Sequence, residues 1–333
     1  MSPEKHKKAS EIVVEVLKKK SKKGLEFAKK TILAENIECK KLREALEYYI
    51  LNWTDFTHPG LFSIACEAVG GNPDKAVQVQ AGISLMSAAF DIHDDIIDKS
   101  KIKKHGKSTV FGKFGKDITL LLGNAFLVKG FILLGKSIRE LPQNKVEEIF
   151  ETLKKSLFEI GNAHALELNL KGKINVIPEE YMKILEMKAA SVETDMRIGA
   201  IIGGGTNSEV EALTRYGRIL GILATLREEF IDVFEIEELS HRIHSECLPI
   251  PVLYAIQDRD SKQRIQKLLA KKQVTSKDVD EILDIVFEAK AVRKLEKMMK
   301  DLIEETTHLV SEIKDKQLKA LLVNFTESTL EDL

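Results

Sequence analysis

Asp91-Ile92-His93-Asp94-Asp95-Ile96-Ile97-Asp98 places four carboxylates in a stretch that otherwise reads as buried helix. Upstream, Ala81-Gly82-Ile83-Ser84-Leu85-Met86-Ser87-Ala88-Ala89-Phe90 is small and apolar and contains no proline, so the helical period is expected to run through to Asp98. On such a helix Asp91, Asp94, Asp95 and Asp98 stand at i, i+3, i+4 and i+7, which is one stripe. Four like charges on one stripe repel by several kcal/mol at an intermediate effective dielectric, unless cations neutralise them. The stripe therefore asks for metal. Carboxylate oxygens without a suitably spaced His or Cys suit Mg²⁺, which keeps several waters and shares its shell with substrate phosphates. A solvated acidic face is the competing reading, and the apolar flanks count against it.

Working outward, the stretch from Lys99 to Ser108 is a short loop carrying Lys99, Lys101, Lys103, Lys104, His105 and Lys107. Beside an acidic stripe it can close a diphosphate between Mg²⁺ ions and ammonium groups, or it is a solvated loop. Ile118 to Ile138 reads as an apolar helix with Gly123-Asn124 inside it, and a further helix runs from about Asn144 to Leu170 with His164 and Glu167 at i, i+3. Glu179 to Ile202 is expected to be one helix, bearing Lys188 and ended by Gly203-Gly204-Gly205. From Ser208 the pattern leads to a second acidic cluster, Glu228 and Asp232 on one face with Glu229 adjacent. That cluster can bind cations, or form a structural salt-bridge network with its own Arg227. If the two acidic helices face each other they form a cation cage with an apolar pocket below it.

Toward the N-terminus, Asn52 to Gly60 reads as a loop, because the residue before Pro59 resists helix and Pro favours a helix start. Glu4 to Ala34 carries many lysines among Ile12, Val13, Val16, Leu17, Leu25 and Phe27, the pattern of one or two amphipathic surface helices. Its lysine face is solvated or touches anionic lipid. Beyond Pro249 the chain is regular charged helix with no assignable chemistry.

Composition narrows the possibilities. At 333 residues and 44% hydrophobic content the chain can bury a large core. The net charge of −1 offers no global field for nucleic acid. Cys39, Cys66 and Cys247 lack pairing or metal-ligand spacing, so a reducing, cytoplasmic setting is expected. No apolar run reaches the ~18 residues of a membrane span, and the basic start lacks a signal-peptide core. Helix formers dominate and the prolines fall at element ends, so the fold class is all-α.

Ile92-His93-Asp94-Asp95-Ile96-Ile97-Asp98, Gly123 before a polar residue, Tyr181 with Lys188-Ala189-Ala190, Tyr216-Gly217 with Gly221, and Leu248-Pro249 resemble, in order and spacing, the trans-isoprenyl diphosphate synthases. The match runs from roughly Leu42 to Tyr254. The resemblance implies a single-domain helical bundle around a deep apolar cavity, with basic N-terminal helices over 1–35, a motif-bearing core over 36–255 and C-terminal helices over 256–333. It implies an allylic prenyl diphosphate as ligand and about three Mg²⁺ ions shared with that diphosphate. Departure of diphosphate would leave an allylic cation, which isopentenyl diphosphate attacks in the family. A homodimer is implied as well, or a heteromer with an active synthase.

Carried over residue by residue, Asp94, Asp95 and Asp98 fit the first metal motif, with Asp94 and Asp98 as direct ligands and Asp91 as an added fourth acid. The second motif falls on Glu228, Glu229 and Asp232, which are longer-armed. The family's Arg-Arg pair falls on Lys103 and Lys104, keeping charge but losing the bidentate fork. Lys188 matches the lysine that contacts the allylic diphosphate, and Thr225 stands where the family has Gln. His164 and Glu167 replace a Gln and an Asp. Phe90, four residues before Asp94, sits where bulky residues floor the product pocket, or it packs the core.

The acceptor half departs from the family. The glycine-rich basic motif for isopentenyl diphosphate aligns with Trp53-Thr54-Asp55-Phe56-Thr57-His58-Pro59, in which only the proline survives. Asp55 replaces a lysine, Phe56 and His58 replace arginines, and Ser87 replaces a His or Gln. An acid there repels a trianion. Three functions follow. The first is allylic ionisation with prenyl transfer or cyclisation to another acceptor, with Trp53 and Phe56 shielding a cation. The second is ordinary elongation using Lys103, Lys104 and Lys107. The third is a silent regulatory subunit.

Overall fold

The computed structural model describes residues 8–103, 106–173, 175–271 and 274–331, so Lys104 and His105 of the basic loop lie outside the described residues. The chain is helical throughout: α1 Ala9–Leu33, α2 Lys40–Asn52, α3 Thr57–Ala68, α4 Val77–Ile97, α5 Val110–Phe114, α6 Lys116–Ile138, α7 Gln143–Leu168 and α8 Pro178–Lys188. There follow α9 Ala190–Ile202, α10 Asn207–Phe234, α11 Ile236–Ser245, α12 Ile250–Ala255, α13 Arg259–Leu269, α14 Ser276–Glu288, α15 Lys290–Leu309 and α16 Lys316–Glu327. Among the described residues the only extended pairing is one antiparallel bridge, Ile102 with Ser108. The all-α expectation holds.

The helices gather into two compact units. The first comprises Glu11–Leu153 and Thr194–Leu213. Its spine is α4 against α6, and small residues let the two backbones meet. A Cβ on Gly130 would lie 2.6 Å from Met86 Cγ and 2.8 Å from the Gly82 carbonyl, and one on Gly123 would strike the His93 ring. Fully buried Leu46, Leu85, Ile92, Leu122 and Phe126 fill this core. Gly130→Ala should therefore lower the urea midpoint: overpacking of about 1–3 kcal/mol outweighs the roughly 1 kcal/mol that Ala gains over Gly in a helix. Gly135→Ala is the control, because its nearest neighbour, Phe150, would stand 3.6 Å away. That variant should be neutral or more stable, and a shared response of the two variants would refute the close-packing argument.

Among the described residues α6, Lys116–Ile138, has the length and composition to cross a membrane, with a mean hydropathy of 1.9 over its best window. The helix is not an unbroken apolar run, because Gly123, Asn124 and Lys129 interrupt it. One face of α6 supplies core side chains, while Leu121, Val128 and Ile132 are exposed on it.

Helix α1 is one amphipathic helix that buries Val13, Leu17, Ser21, Gly24, Ala28 and Ile32 and turns its lysines outward. Helix α4 begins at Val77 after a short 3₁₀ turn, Pro73–Ala76, and ends at Ile97 with Asp98 as its C-cap. Lys99 then takes the left-handed conformation, φ 58°, that commonly stops a helix.

The second unit comprises Met1–Ser10, Lys154–Glu193 and Thr214–Leu333. Its core joins α8, the later part of α10 and the C-terminal helices through Tyr181, Leu185, Leu223, Phe230, Ile250, Ile282 and Met299. The single helix expected over Glu179–Ile202 is instead two, α8 and α9, separated at Ala189. At that break Ala189 packs against Gly221 of α10, where a Cβ would meet Ala189 at 2.8 Å. Cys39, Cys66 and Cys247 are all free.

Candidate active site

Within the first unit the acidic stripe occupies the last turns of α4. Asp95 is buried, Asp94 and Asp98 are half-buried, and Asp91 is exposed. The basic loop folds back on it as a hairpin: Lys103 N–H donates to the Lys107 carbonyl (2.8 Å) and Thr109 N–H to the Lys101 carbonyl (2.9 Å). The Tyr48 hydroxyl pins the hairpin by donating to the Ser108 carbonyl at 2.6 Å. This brings Lys103 Nζ to 3.9 Å from both Asp91 Oδ2 and Asp95 Oδ1. Burial pushes the Asp95 carboxyl up to about 7, with Lys103 opposing the rise and Asp91 and Asp98 adding to it. The neighbouring Asp91 and Asp98 thus add to the cost of charging Asp95, and Lys103 offsets part of it.

The donor set suits Mg²⁺, being all hard oxygen. Among the described residues no three His, Cys, Asp or Glu side chains close a ligand shell by themselves. Any such cation would complete its shell from water and ligand oxygens, as Mg²⁺ ordinarily does.

A cavity of about 260 Å³ opens beside the stripe. Tyr49, Trp53, Asp55, Asp91, Asp95, Lys103 and Lys107 line it, with Tyr48, Asn52 and the backbone around Ser108. Asp55 is held from two sides: its Oδ1 accepts the Thr57 N–H (3.0 Å) and its Oδ2 accepts the Ser87 hydroxyl (3.1 Å). Trp53 packs against Tyr49 and Phe126 at ring centroid distances of 5.7 and 5.8 Å. Phe56 lies under the Lys18 ammonium, 5.3 Å from its ring centroid, and does not line the cavity. Phe90 is half-buried on α4.

His58, also in this stretch, is committed elsewhere. Its Nδ1 lies 2.5 Å from Oδ2 of buried Asp195 on α9. Burial works against the imidazolium, but Asp195, reinforced by Asp55, lifts His58 from 6.5 to about 10. A histidine raised on folding contributes stability that is complete below its unfolded pKa and disappears as pH rises through its folded value. The urea midpoint should therefore decline between about pH 6.5 and about pH 10. Asp195→Asn should flatten that decline, and an equally steep profile in the variant would refute the pairing.

The second unit carries the other acidic cluster on α10, beside a cavity of about 410 Å³ lined by Glu167, Lys188, Thr225, Glu228, Glu229, Asp232 and Arg242, among others. Glu228 is exposed there and Asp232 half-buried. Glu229, adjacent to the face that Glu228 and Asp232 share, is turned into the core. It is 6% exposed, and its Oε1 accepts Arg242 Nη1 (2.8 Å) while its Oε2 accepts Arg242 Nη2 (3.1 Å) and the Ile250 N–H (2.8 Å). Arg242 also donates to Asp232 Oδ2 (2.7 Å), the Cys247 carbonyl (2.9 Å) and the Tyr181 hydroxyl (2.8 Å). Tyr181 has one proton and stands 3.0 Å from both Glu167 Oε1 and Glu229 Oε1, so it serves the two carboxylates in alternation.

Lys188 Nζ lies 2.5 Å from Glu167 Oε2. Burial alone would raise the Glu167 carboxyl, yet Lys188, with Arg242 and Tyr181, holds it below the usual carboxylate value. The Thr225 hydroxyl is spent on the Gly221 carbonyl (2.8 Å) of its own helix. Arg242, not Arg227, is the hub of the network, and nothing in the local sequence of α11 marks it. Asp195 had a weak signal: it is an acid among the small and apolar residues of α9.

The polyprenyl synthetase family model matches residues 31–286. A short chain isoprenyl diphosphate synthase of Methanothermobacter thermautotrophicus is 31% identical over 227 residues, 68% of this chain and 68% of that protein. The structure of a geranylgeranyl pyrophosphate synthetase from Pyrococcus horikoshii superposes with a TM-score of 0.85 at 23% identity, covering 97% of this chain and 99% of that one. That of a geranylgeranyl pyrophosphate synthase from Corynebacterium glutamicum, complexed with isoprenyl diphosphate and magnesium, superposes with a TM-score of 0.75 at 19% identity, covering 96% and 98%. The chain belongs to the polyprenyl synthetase family and is a prenyltransferase of the isoprenyl diphosphate synthase type.

Proposed function

We propose that the chain ionises an allylic prenyl diphosphate with Mg²⁺ and passes the prenyl group to an acceptor other than isopentenyl diphosphate, or closes it on itself. One observation carries the acceptor side of this reading. In the stretch from Trp53 to Pro59, Asp55 accepts hydrogen bonds from the Thr57 N–H and the Ser87 hydroxyl, and the charge of His58 is cancelled by Asp195. Neither side chain can neutralise an incoming diphosphate.

Asp94 and Asp98, sharing a face of α4, would hold Mg²⁺ in the first unit, while Glu228 and Asp232 are the corresponding donors in the second, with Glu229 buttressing them through Arg242. Bound there, Mg²⁺ neutralises the charge that builds on a departing diphosphate. Lys188, now paired with Glu167, is placed to exchange that partner for a phosphate oxygen, which it can do as a point charge on a flexible stem. Lys103 supplies further positive charge beside the stripe. The exposed apolar residues of α6, Leu121, Val128 and Ile132, support a self-associating form.

A second reading is ordinary five-carbon elongation, with the acceptor diphosphate on Lys103 and Lys107. The cavity position of these lysines and the relationship to a short chain isoprenyl diphosphate synthase favour it. A product assay separates the two: Mg²⁺ with C10, C15 and C20 allylic diphosphates, each with and without isopentenyl diphosphate, followed by extraction and mass analysis. Alcohol or hydrocarbon formed without the acceptor is the expected result. A product longer by five carbons that forms only when isopentenyl diphosphate is present would overturn the first reading and establish the second.

A further inference from the structure

Tyr181 of α8 is fully buried, and its hydroxyl stands among three charged side chains of the second unit. Arg242 Nη2 donates to the phenol oxygen at 2.8 Å and holds it in place, while Glu167 Oε1 and Glu229 Oε1 both lie 3.0 Å away. The one proton therefore reaches either carboxylate by rotation about the C–O bond alone. Burial, and Glu229 after it, push the phenol well above its ordinary titration range, so the proton stays on the oxygen.

The two carboxylates differ in what else supports them. Glu229 accepts the Arg242 fork at 2.8 and 3.1 Å and the Ile250 N–H at 2.8 Å, so it keeps three donors without Tyr181. Glu167, with a side chain 14% exposed, has Tyr181 and the Lys188 ammonium as its hydrogen-bonding and ion-pair partners among the described residues. Glu167 and Lys188 both line the cavity of this unit, whereas Tyr181 lies behind its wall. An ammonium drawn to a phosphate oxygen leaves Glu167 a largely buried carboxylate without its cation, which is costly unless another donor serves it.

We infer that Tyr181 is a positioning residue of the diphosphate site: its hydroxyl turns from Glu229 to Glu167 as Lys188 leaves, so that Lys188 is released to the ligand while both carboxylates stay hydrogen-bonded. The inference rests on the proposed contact of Lys188 with diphosphate and is independent of the acceptor. Tyr181 itself touches no ligand. It lowers the cost of drawing Lys188 off Glu167.

The test is isothermal titration of the full-length protein with inorganic diphosphate at saturating Mg²⁺. Tyr181→Phe keeps the ring and removes the donor, and it should weaken binding about tenfold. Glu167→Gln no longer restrains the ammonium and should tighten binding about tenfold, whereas Lys188→Met should weaken it by about the same factor. Added to either of these two variants, Tyr181→Phe should change affinity by less than about twofold. In the first no carboxylate is left to compensate, and in the second no ammonium leaves. A packing role for Tyr181 would carry the same loss into every background.

A second readout keeps the ring and the hydroxyl and serves even if Tyr181→Phe does not fold. With meta-fluorotyrosine at position 181, the fluorine NMR resonance should move when diphosphate is added with Mg²⁺, and should stay in place in Lys188→Met. A resonance that diphosphate does not move would overturn the inference. So would an unchanged affinity in Tyr181→Phe, or a tenfold loss that persists beside Glu167→Gln or Lys188→Met. If Lys188→Met binds diphosphate as the wild type does, the Lys188 contact fails and this inference with it. If Lys188→Met binds weakly but the Tyr181→Phe loss is the same in every background, the Lys188 contact stands and this inference alone is lost.

Discussion

Asp94→Ala should reduce turnover of any allylic diphosphate by about a thousandfold, roughly 4 kcal/mol of transition-state stabilisation, while leaving the protein folded. Asp94 lies on the face of α4 it shares with Asp98, in a stripe where burial first, and Asp91 and Asp98 after it, push Asp95 up to about 7. Removing one carboxylate from such a stripe relieves repulsion, so the unfolding midpoint in the absence of metal should stay the same or rise. The same substitution should remove the rise in midpoint that saturating Mg²⁺ produces in the wild type, because a ligand that binds only the folded state stabilises it in proportion to its occupancy. Dead enzyme, unchanged or higher metal-free stability and lost Mg²⁺ protection form the expected signature. Unchanged turnover would sink the metal-site assignment, and a large drop in metal-free stability would make Asp94 a structural residue instead.

The largest stability effect is expected at Arg242. This side chain is 3% exposed and donates to Glu229, Asp232, Tyr181 and the Cys247 carbonyl. Arg242→Met preserves much of the volume and removes every donor, leaving Glu229 a buried carboxylate with no cation. Breaking a buried pair in this way costs about 3–5 kcal/mol. The cost should shrink as pH falls, since a buried, unpaired Glu229 takes up a proton more readily in the folded than in the unfolded variant. Urea unfolding at neutral and mildly acidic pH measures both effects. Arg242→Lys should recover little of the loss, because an ammonium cannot reproduce the fork that spans both Glu229 oxygens. A variant as stable as the wild type would mean that the network holds geometry without contributing to folding.

Much of the molecule was legible in the amino-acid order. Apolar periodicity and the scarcity of internal proline located most of the helices, because those signals act within a turn or two of backbone, although α3 begins at Thr57, inside the stretch up to Gly60 that reads as loop. The run from Asp91 to Asp98 announced its chemistry for the same reason: spacing along one helix determines which side chains share a face. The break between α8 and α9 was not visible, since it depends on Ala189 meeting Gly221.

The finer character of the site came only from the tertiary structure. Glu228 and Glu229 are neighbours of identical chemistry, yet one is exposed beside a cavity and the other is buried under Arg242. A helix turns by about 100° per residue, and which side faces the core is settled by what packs there. His58 and Asp195, 137 positions apart, form a pair that no local pattern encodes. Sequence alone thus determined the helices, the family and the acidic motifs, all of which rest on short-range order along the chain. Which carboxylates keep their charge and which are consumed by buried partners was decided only when distant helices brought Arg242, Asp195 and Lys103 beside them, because Coulomb energy and desolvation depend on distance in space and on burial, not on separation along the chain.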